Sequence, residues 1–249
     1  MSFGAKMRIV FDGKKVLVTG GTRGIGAEIA KEFANAGAMV VITGTGELRP
    51  QELDAKIEYE VLCVAQESDW RARVEEIVEK YDGFDICINN AGINRVNAIY
   101  ETRSQDIDDV LLLNLNAPIY IASVVSKKMK EKQYGHIINI ASIFGVVSRV
   151  GRNPYTASKS GLIGATKSMA LDLGEHNVFV NAVSPGFVDT ELTRRVLGED
   201  GMQEMTAKVP LKKLAKVSDI APTVLFLCSE YNSYITGQNI IIDGGFTSE

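Results

Sequence analysis

The stretch Val16-Leu17-Val18-Thr19-Gly20-Gly21-Thr22-Arg23-Gly24-Ile25-Gly26 decides the fold. Apolar β-formers run into a glycine turn, and a helical pattern, Ile25–Ala36, follows until Gly37 stops it. Strand, glycine turn and helix in that order make a cradle for a pyrophosphate. Gly20 permits a tight turn, Gly24 lets a phosphate approach the backbone, and Gly26 lets the helix pack closely. The helix start offers unpaired N–H groups and a positive dipole end to an anion. The spacing is Gly-x-x-x-Gly-x-Gly rather than Gly-x-Gly-x-x-Gly. A plain glycine turn would read the same way in isolation, so the flanking pattern has to decide.

Outward from the turn, short β-rich runs alternate with helical patterns. The strands are expected at Lys15–Thr19, Met39–Thr43, Glu60–Val64, Ile86–Asn89, His136–Ile140, Phe179–Val183 and Asn239–Ile242. Several are almost continuously apolar, as parallel strands covered on both faces require. Further helices are expected at Asp69–Lys80, Ser104–Lys130 (one long or two shorter), Tyr155–Leu173 and Asp219–Leu227. Asn153 suits the N-cap of the Tyr155 helix, Pro154 its first turn and Gly174 the position after its end. The alternation predicts an α/β fold: a doubly wound Rossmann-type seven-stranded parallel sheet with helices on both faces. Residues 1–249 read as one dinucleotide-binding domain, with no repeat or linker. The least regular stretch, Phe187–Ala215, reads as a lid or substrate loop.

Composition narrows the partners. The 249 residues are 45% hydrophobic with a formal net charge of −4, enough for a large core and without a basic block, which argues against nucleic acid. Apolar runs such as Val110–Leu113 and Ile240–Ile242 are far too short for a membrane span, and Met1–Lys6 has no secretory h-region. Cys63, Cys87 and Cys228 are widely spaced and read as buried thiols in a reducing cytoplasm. His136 and His176 lie far apart without acidic or cysteine neighbours at ligand spacing, so no metal is expected.

Tyr155 and Lys159 carry the chemistry. Residues four apart share a helix face, and an ammonium beside a phenol favours the phenolate. A phenol so tuned can exchange a proton with an alcohol or ketone. Such pairs also occur on solvated helix faces, and the rest of the chain tips the balance. The Thr19 turn, Asn89-Asn90-Ala91-Gly92, Ser142, Tyr155-x-x-x-Lys159 and Pro185-Gly186 occur together and in order. In this the chain resembles the single-domain branch of the short-chain dehydrogenase/reductase family, from about residue 14 to 245.

The resemblance implies an enzyme with Tyr155 as general acid/base. Lys159 would lower the tyrosine pKa and bond the nicotinamide ribose, Ser142 would hold the substrate oxygen, and Asn114 would hold a proton-relay water. Asn116 is a nearby alternative that periodicity cannot separate from Asn114. The implied cofactor-binding set is Gly20, Thr22, Arg23, Gly24, Ile25, Gly26, Asn90, Ala91, Gly92, Tyr155, Lys159, Pro185, Gly186 and Thr190. Asn89 reads as a brace of the sheet, and Thr190 equally as a helix N-cap.

The second strand ends Thr43-Gly44-Thr45-Gly46 without the carboxylate that would accept from an NAD ribose, while Arg23 and Arg49 stand near. That favours NADP(H), with NAD(H) still open. No acid follows the third strand before Glu67, so an adenine contact falls to backbone or Gln66. The substrate is expected to be a small carbonyl or alcohol compound. The loop Asn89–Asn97 is similar to loops of 3-oxoacyl-carrier-protein reductases and of sugar-acid or polyol dehydrogenases. Gln133-Tyr134 and His176-Asn177 stand where carrier-protein reductases add basic residues, which weakens the first assignment. Arg149 and Arg152 either bind a carboxylate or phosphate at the mouth, or are solvated or paired at a subunit contact. Other readings are a silent dinucleotide-binding scaffold, against which the four intact residues argue, and a larger epimerase, for which the chain is too short. A cytoplasmic homotetramer is the family expectation.

Overall fold

The computed structural model describes residues 8–49, 51, 53–65 and 68–248. Gln66 and Glu67, and with them the adenine question, lie outside the described residues. Among the described residues seven strands form one parallel sheet: β1 (Lys15–Val18), β2 (Met39–Gly44), β3 (Ile57–Val61), β4 (Ile86–Asn89), β5 (Gly135–Ile140), β6 (Val178–Pro185) and β7 (Asn239–Ile242). Their spatial order is β3-β2-β1-β4-β5-β6-β7. The order reverses between β1 and β4, where Val16 is level with Ile86 and Val18 with Ile88. A crevice opens at such a switch point, beyond the carboxyl ends of the strands.

Helices α1 (Gly24–Asn35), α2 (Trp70–Lys80), α3 (Ser104–Leu111), α4 (Ala117–Lys132), α5 (Asn153–Leu173), α6 (Glu191–Lys208) and α7 (Val217–Cys228) cover the sheet. Side chains alternate along each strand, so Val16 and Val18 pack on one face with Ile29 and Phe33 of α1 and Val224 of α7. Leu17 points the other way, into a second core with Val74 of α2 and Val125 of α4. These two layers explain why the strands are apolar throughout.

Several boundaries differ from the sequence reading. β3 begins three residues earlier than expected. Its Glu60 is buried, because Arg73 and Lys80 pair with its carboxylate at 2.6 and 2.5 Å and the Tyr81 hydroxyl donates to it at 2.8 Å. Leu62 and Val64 are apolar because they pack in the second core after the strand has ended. Arg152, not Asn153, is the N-cap residue of α5. Gly174 stays right-handed at φ −60°, and the left-handed turn comes at Asn177, φ 55°.

Phe187–Ala215 is the largest correction: most of it is α6, kinked at Gly198 with φ 65°. A bridge between Val188 and Ala215 closes its base. Gly198 and Gly201 suggested irregularity, but Met205 and Val209 supply an inward face against Phe144 and Phe187. Ser104–Lys132 is one helical run with a wide π turn, Leu112–Asn116, in its middle. By length and composition this run could cross a membrane, which its short apolar patches had not suggested. Val110, Ile121, Val125 and Met129 are instead buried inside the protein. All three cysteines are buried thiols.

Candidate active site

The sheet brings the glycine turn, the β4 end, the β5 end and the start of α5 to one crevice. At the turn, Gly20 and Gly24 have φ of 62° and 58°, a region closed to most side chains. A Cβ on Gly26 would lie 2.4 Å from Asn90 Nδ2 and 2.6 Å from the Gly20 carbonyl oxygen. The tight approach therefore joins helix to turn and to β4, not helix to sheet alone. Asn90 Nδ2 donates to the carbonyls of Thr19 and Gly20, both at 3.0 Å. Its amide group is thus engaged in holding the turn. Thr19, to which the sequence reading gave no role, accepts from the N–H groups of Asn90 and Ala91 at 3.0 and 3.1 Å. Only a hydroxyl placed immediately before Gly20 hinted at this. Asn89 is the sheet brace expected, donating to Asn139 Oδ1 at 2.9 Å and to the Pro118 carbonyl at 3.3 Å.

These residues fit a dinucleotide. α1 starts with no capping side chain and no acid in its first turn, leaving its positive end open to an anion. Above Gly24 a Cβ would meet nothing nearer than Thr190 Cγ2 at 3.8 Å. Thr190 is the N-cap of α6, accepting from Thr193 N–H at 3.2 Å, so it caps a helix while facing the turn. Thr22 and Ile25 flank the turn: Thr22 lies against Gly44, and Ile25 packs on the first core. Gly186 lacks a side chain because Asp243 passes there, 2.8 Å from where a Cβ would sit. Arg23 pairs with Glu191 at 3.3 Å, both side chains largely exposed. Arg49 donates to the carbonyls of Leu53 and Asp54 at 3.2 and 2.6 Å.

Tyr155, Lys159, Ser142 and Asn114 come together at the far side of the crevice. Tyr155 and Lys159 share one face of α5, with Lys159 Nζ 5.8 Å from the phenol ring centroid. Lys159 Nζ donates to the Ile140 carbonyl at 2.8 Å, and burial pushes its pKa down to about 8. Ser142 accepts from Phe144 N–H at 3.1 Å and hydrogen-bonds the Tyr155 side chain. The expected lowering of the Tyr155 pKa is not met by the chain alone. Burial raises it, and the Ser142 bond and the Arg152 charge offset this only in part. The low dielectric acts on the phenolate more strongly than Lys159, whose own charge burial disfavours.

Asn114 is fully buried, while Asn116 faces solvent, which separates the two. Asn114 Nδ2 donates to the Ile93 carbonyl and its Oδ1 accepts from Ile93 N–H, each at 2.9 Å. Nδ2 also reaches Ser158 Oγ at 3.2 Å, and Ser158 donates to the Tyr155 carbonyl at 2.7 Å. The π turn places Asn114 where a Cβ on Gly92 would meet Asn114 Oδ1 at 3.2 Å and Lys159 Nζ at 3.7 Å. Ser158 gave no signal in the sequence, because its role exists only through packing.

The two arginines between Ser142 and Tyr155 part company. Arg149 reaches α6, with Nη2 3.7 Å from Glu204 and Nη1 3.1 Å from Met205 Sδ. Arg152 is buried over the Phe144 ring at 5.3 Å.

The family model described as enoyl-(acyl carrier protein) reductase matches residues 20–247. The chain belongs to the short-chain dehydrogenase/reductase family. As a member of that family it is an oxidoreductase built to take a nicotinamide dinucleotide. It is 41% identical to a 3-oxoacyl-[acyl-carrier-protein] reductase of Aquifex aeolicus, covering 96% of this chain and 99% of that one. A solved gluconate 5-dehydrogenase from Burkholderia cenocepacia, in complex with NADP and tartrate, superposes with a TM-score of 0.89 at 29% identity, covering 97% of this chain and 98% of that one. A 4-hydroxyisoleucine dehydrogenase complexed with NADH reaches 0.88, also at 29%, over 95% and 100%. Solved dehydrogenases of similar shape thus carry either dinucleotide.

Proposed function

We propose that the chain is an NADP(H)-linked enzyme that interconverts a ketone and a secondary alcohol, with proton transfer at Tyr155. The observation that carries this is the cluster of Tyr155, Ser142, Lys159 and Asn114, with Asn114 and Lys159 facing Gly92. When bound, the nicotinamide supplies hydride to the carbonyl carbon or takes it from the alcohol. In reduction Tyr155 gives its phenol proton to the oxygen that receives the carbonyl electron pair. Ser142 donates to the same oxygen, which stabilises the charge developing there. Lys159 holds the ribose and returns a proton through the water that Asn114 orients. Thr22, Arg23, Gly24 and Ile25 hold the pyrophosphate end, and Ala91, Gly92, Pro185 and Gly186 the nicotinamide end.

The preference for NADP(H) rests on the β2 end, where Gly44 and Gly46 leave no carboxylate, and on Arg23. The exposed Arg23–Glu191 pair is worth under about 1 kcal/mol and gives way to a 2′-phosphate. Titration with NADPH and NADH tests this, and tighter NADH binding would sink it. For the substrate, the relatives favour a 3-oxoacyl thioester. A sugar acid or polyol is the second reading, and within it the buried charge of Arg152 favours the acid. The family habit makes a cytoplasmic homotetramer the assembly to look for by light scattering. Tyr155→Phe is expected to lower turnover at least about 100-fold while dinucleotide affinity stays. Unchanged turnover would overturn the acid/base assignment.

A further inference from the structure

Arg152 is 6% exposed, its Nε has no hydrogen-bond partner, and no carboxylate among the described residues pairs with it. A buried guanidinium without a counter-ion is costly, and one left in place marks a site that an anion completes. The surroundings hold the group still. Its guanidinium lies over the Phe144 ring, which meets Tyr155 edge-on at 6.4 Å. Gly151, at φ 77°, accepts from Asn97 N–H at 3.2 Å, so the loop after Gly92 clamps the backbone beside it. The neighbouring Arg149 is drawn off to Glu204 on α6. Arg152 is the N-cap residue of α5, three residues before Tyr155, and both side chains meet the Phe144 ring. A second polar atom is also orphaned at this crevice: Asn94 Oδ1, on the residue after Ile93, which Asn114 holds by two bonds. It is an acceptor suited to a substrate hydroxyl.

We infer that Arg152 binds a carboxylate of the substrate, one or two carbons from the carbonyl that Tyr155 protonates. The inference rests on the ketone–alcohol reading and, of its two substrate readings, takes the acid over the thioester: the substrate is a free, short oxo acid or its hydroxy acid. A thioester places no charge at that distance from its ketone and would leave Arg152 unpaired. Arg152 is then a specificity residue, and Arg149 a strut of the lid.

The test compares wild type, Arg152→Gln and Arg152→Lys. NADPH oxidation is followed with acetoacetate, methyl acetoacetate and a panel of short oxo acids and keto sugar acids. In parallel, malonate is titrated into the cofactor-free protein and the shift in melting temperature is read. Wild type is expected to favour the acids over the ester. Arg152→Gln should cut the acid-to-ester ratio of kcat/KM at least tenfold, chiefly through KM, with partial recovery in Arg152→Lys. The malonate shift should vanish in Arg152→Gln. If the ester turns over better than every acid and malonate shifts all three proteins equally, the carboxylate site falls while the oxidoreductase reading stands. If no carbonyl reacts yet the malonate shift still depends on Arg152, the anion site stands and the oxidoreductase reading falls.

Discussion

Replacing Lys159 with methionine should make the protein inactive and more stable. Lys159 is 4% exposed, and burial lowers its pKa from 10.5 to about 8. At roughly 1.4 kcal/mol per pKa unit, holding the ammonium in the fold costs about 3 kcal/mol at pH 7. The bond from Nζ to the Ile140 carbonyl returns about 1 kcal/mol of this, and methionine forfeits it. Lys159→Met should therefore gain about 2 kcal/mol at pH 7. The sign with pH follows from proton counting. Between pH 8 and 10.5 the unfolded lysine binds more protons than the folded one, so wild-type stability rises with pH across that window. The advantage of the variant should shrink by roughly 2 kcal/mol between pH 7 and pH 9.5. Urea unfolding of both proteins at a fixed concentration, at the two pH values, reads this directly. A variant less stable than wild type at pH 7, or a difference that ignores pH, refutes the reasoning. The same burial that destabilises the fold keeps a proton donor poised near neutral pH.

Two further outcomes follow from the structure. Gly26→Ala puts a Cβ 2.4 Å from Asn90 Nδ2, so it should destabilise by about 1–3 kcal/mol and weaken dinucleotide binding more than any surface change. Calorimetric titration with NADPH checks it, and unaltered affinity would remove the turn from the binding site. His136 is buried against Phe179, and burial lowers its pKa from 6.5 to about 4. The unfolded chain binds the extra proton between those values, so stability should fall by roughly 3 kcal/mol as pH drops from 6.5 through 4. Denaturant midpoints of wild type and His136→Phe over that range test it, and equal acid slopes count against the burial argument.

What could be read along the chain was local. A strand, a turn and a helix in Val16–Gly26 each depend on neighbours a few residues away, so the cradle was legible. Tyr155 and Lys159 were legible as a pair for the same reason, since four residues make one helical turn. α6 was not, because its kink at Gly198 mimics a loop and its inward face is defined by packing on side chains from other segments, such as Phe144 and Phe246. β3 was misplaced because an apolar run and a strand are different things: Leu62 and Val64 pack, while Glu60 sits in the ladder with its charge neutralised from α2.

The sequence by itself determined the reaction type, since the glycine turn and the tetrad residues are set by spacing. Tertiary structure alone decided the fate of each charge. Arg149 and Arg152 are three residues apart and chemically identical, yet one meets Glu204 on α6 and the other lies buried over Phe144 with no carboxylate partner among the described residues. Desolvation and pairing depend on what other segments bring into contact, and no local pattern encodes that.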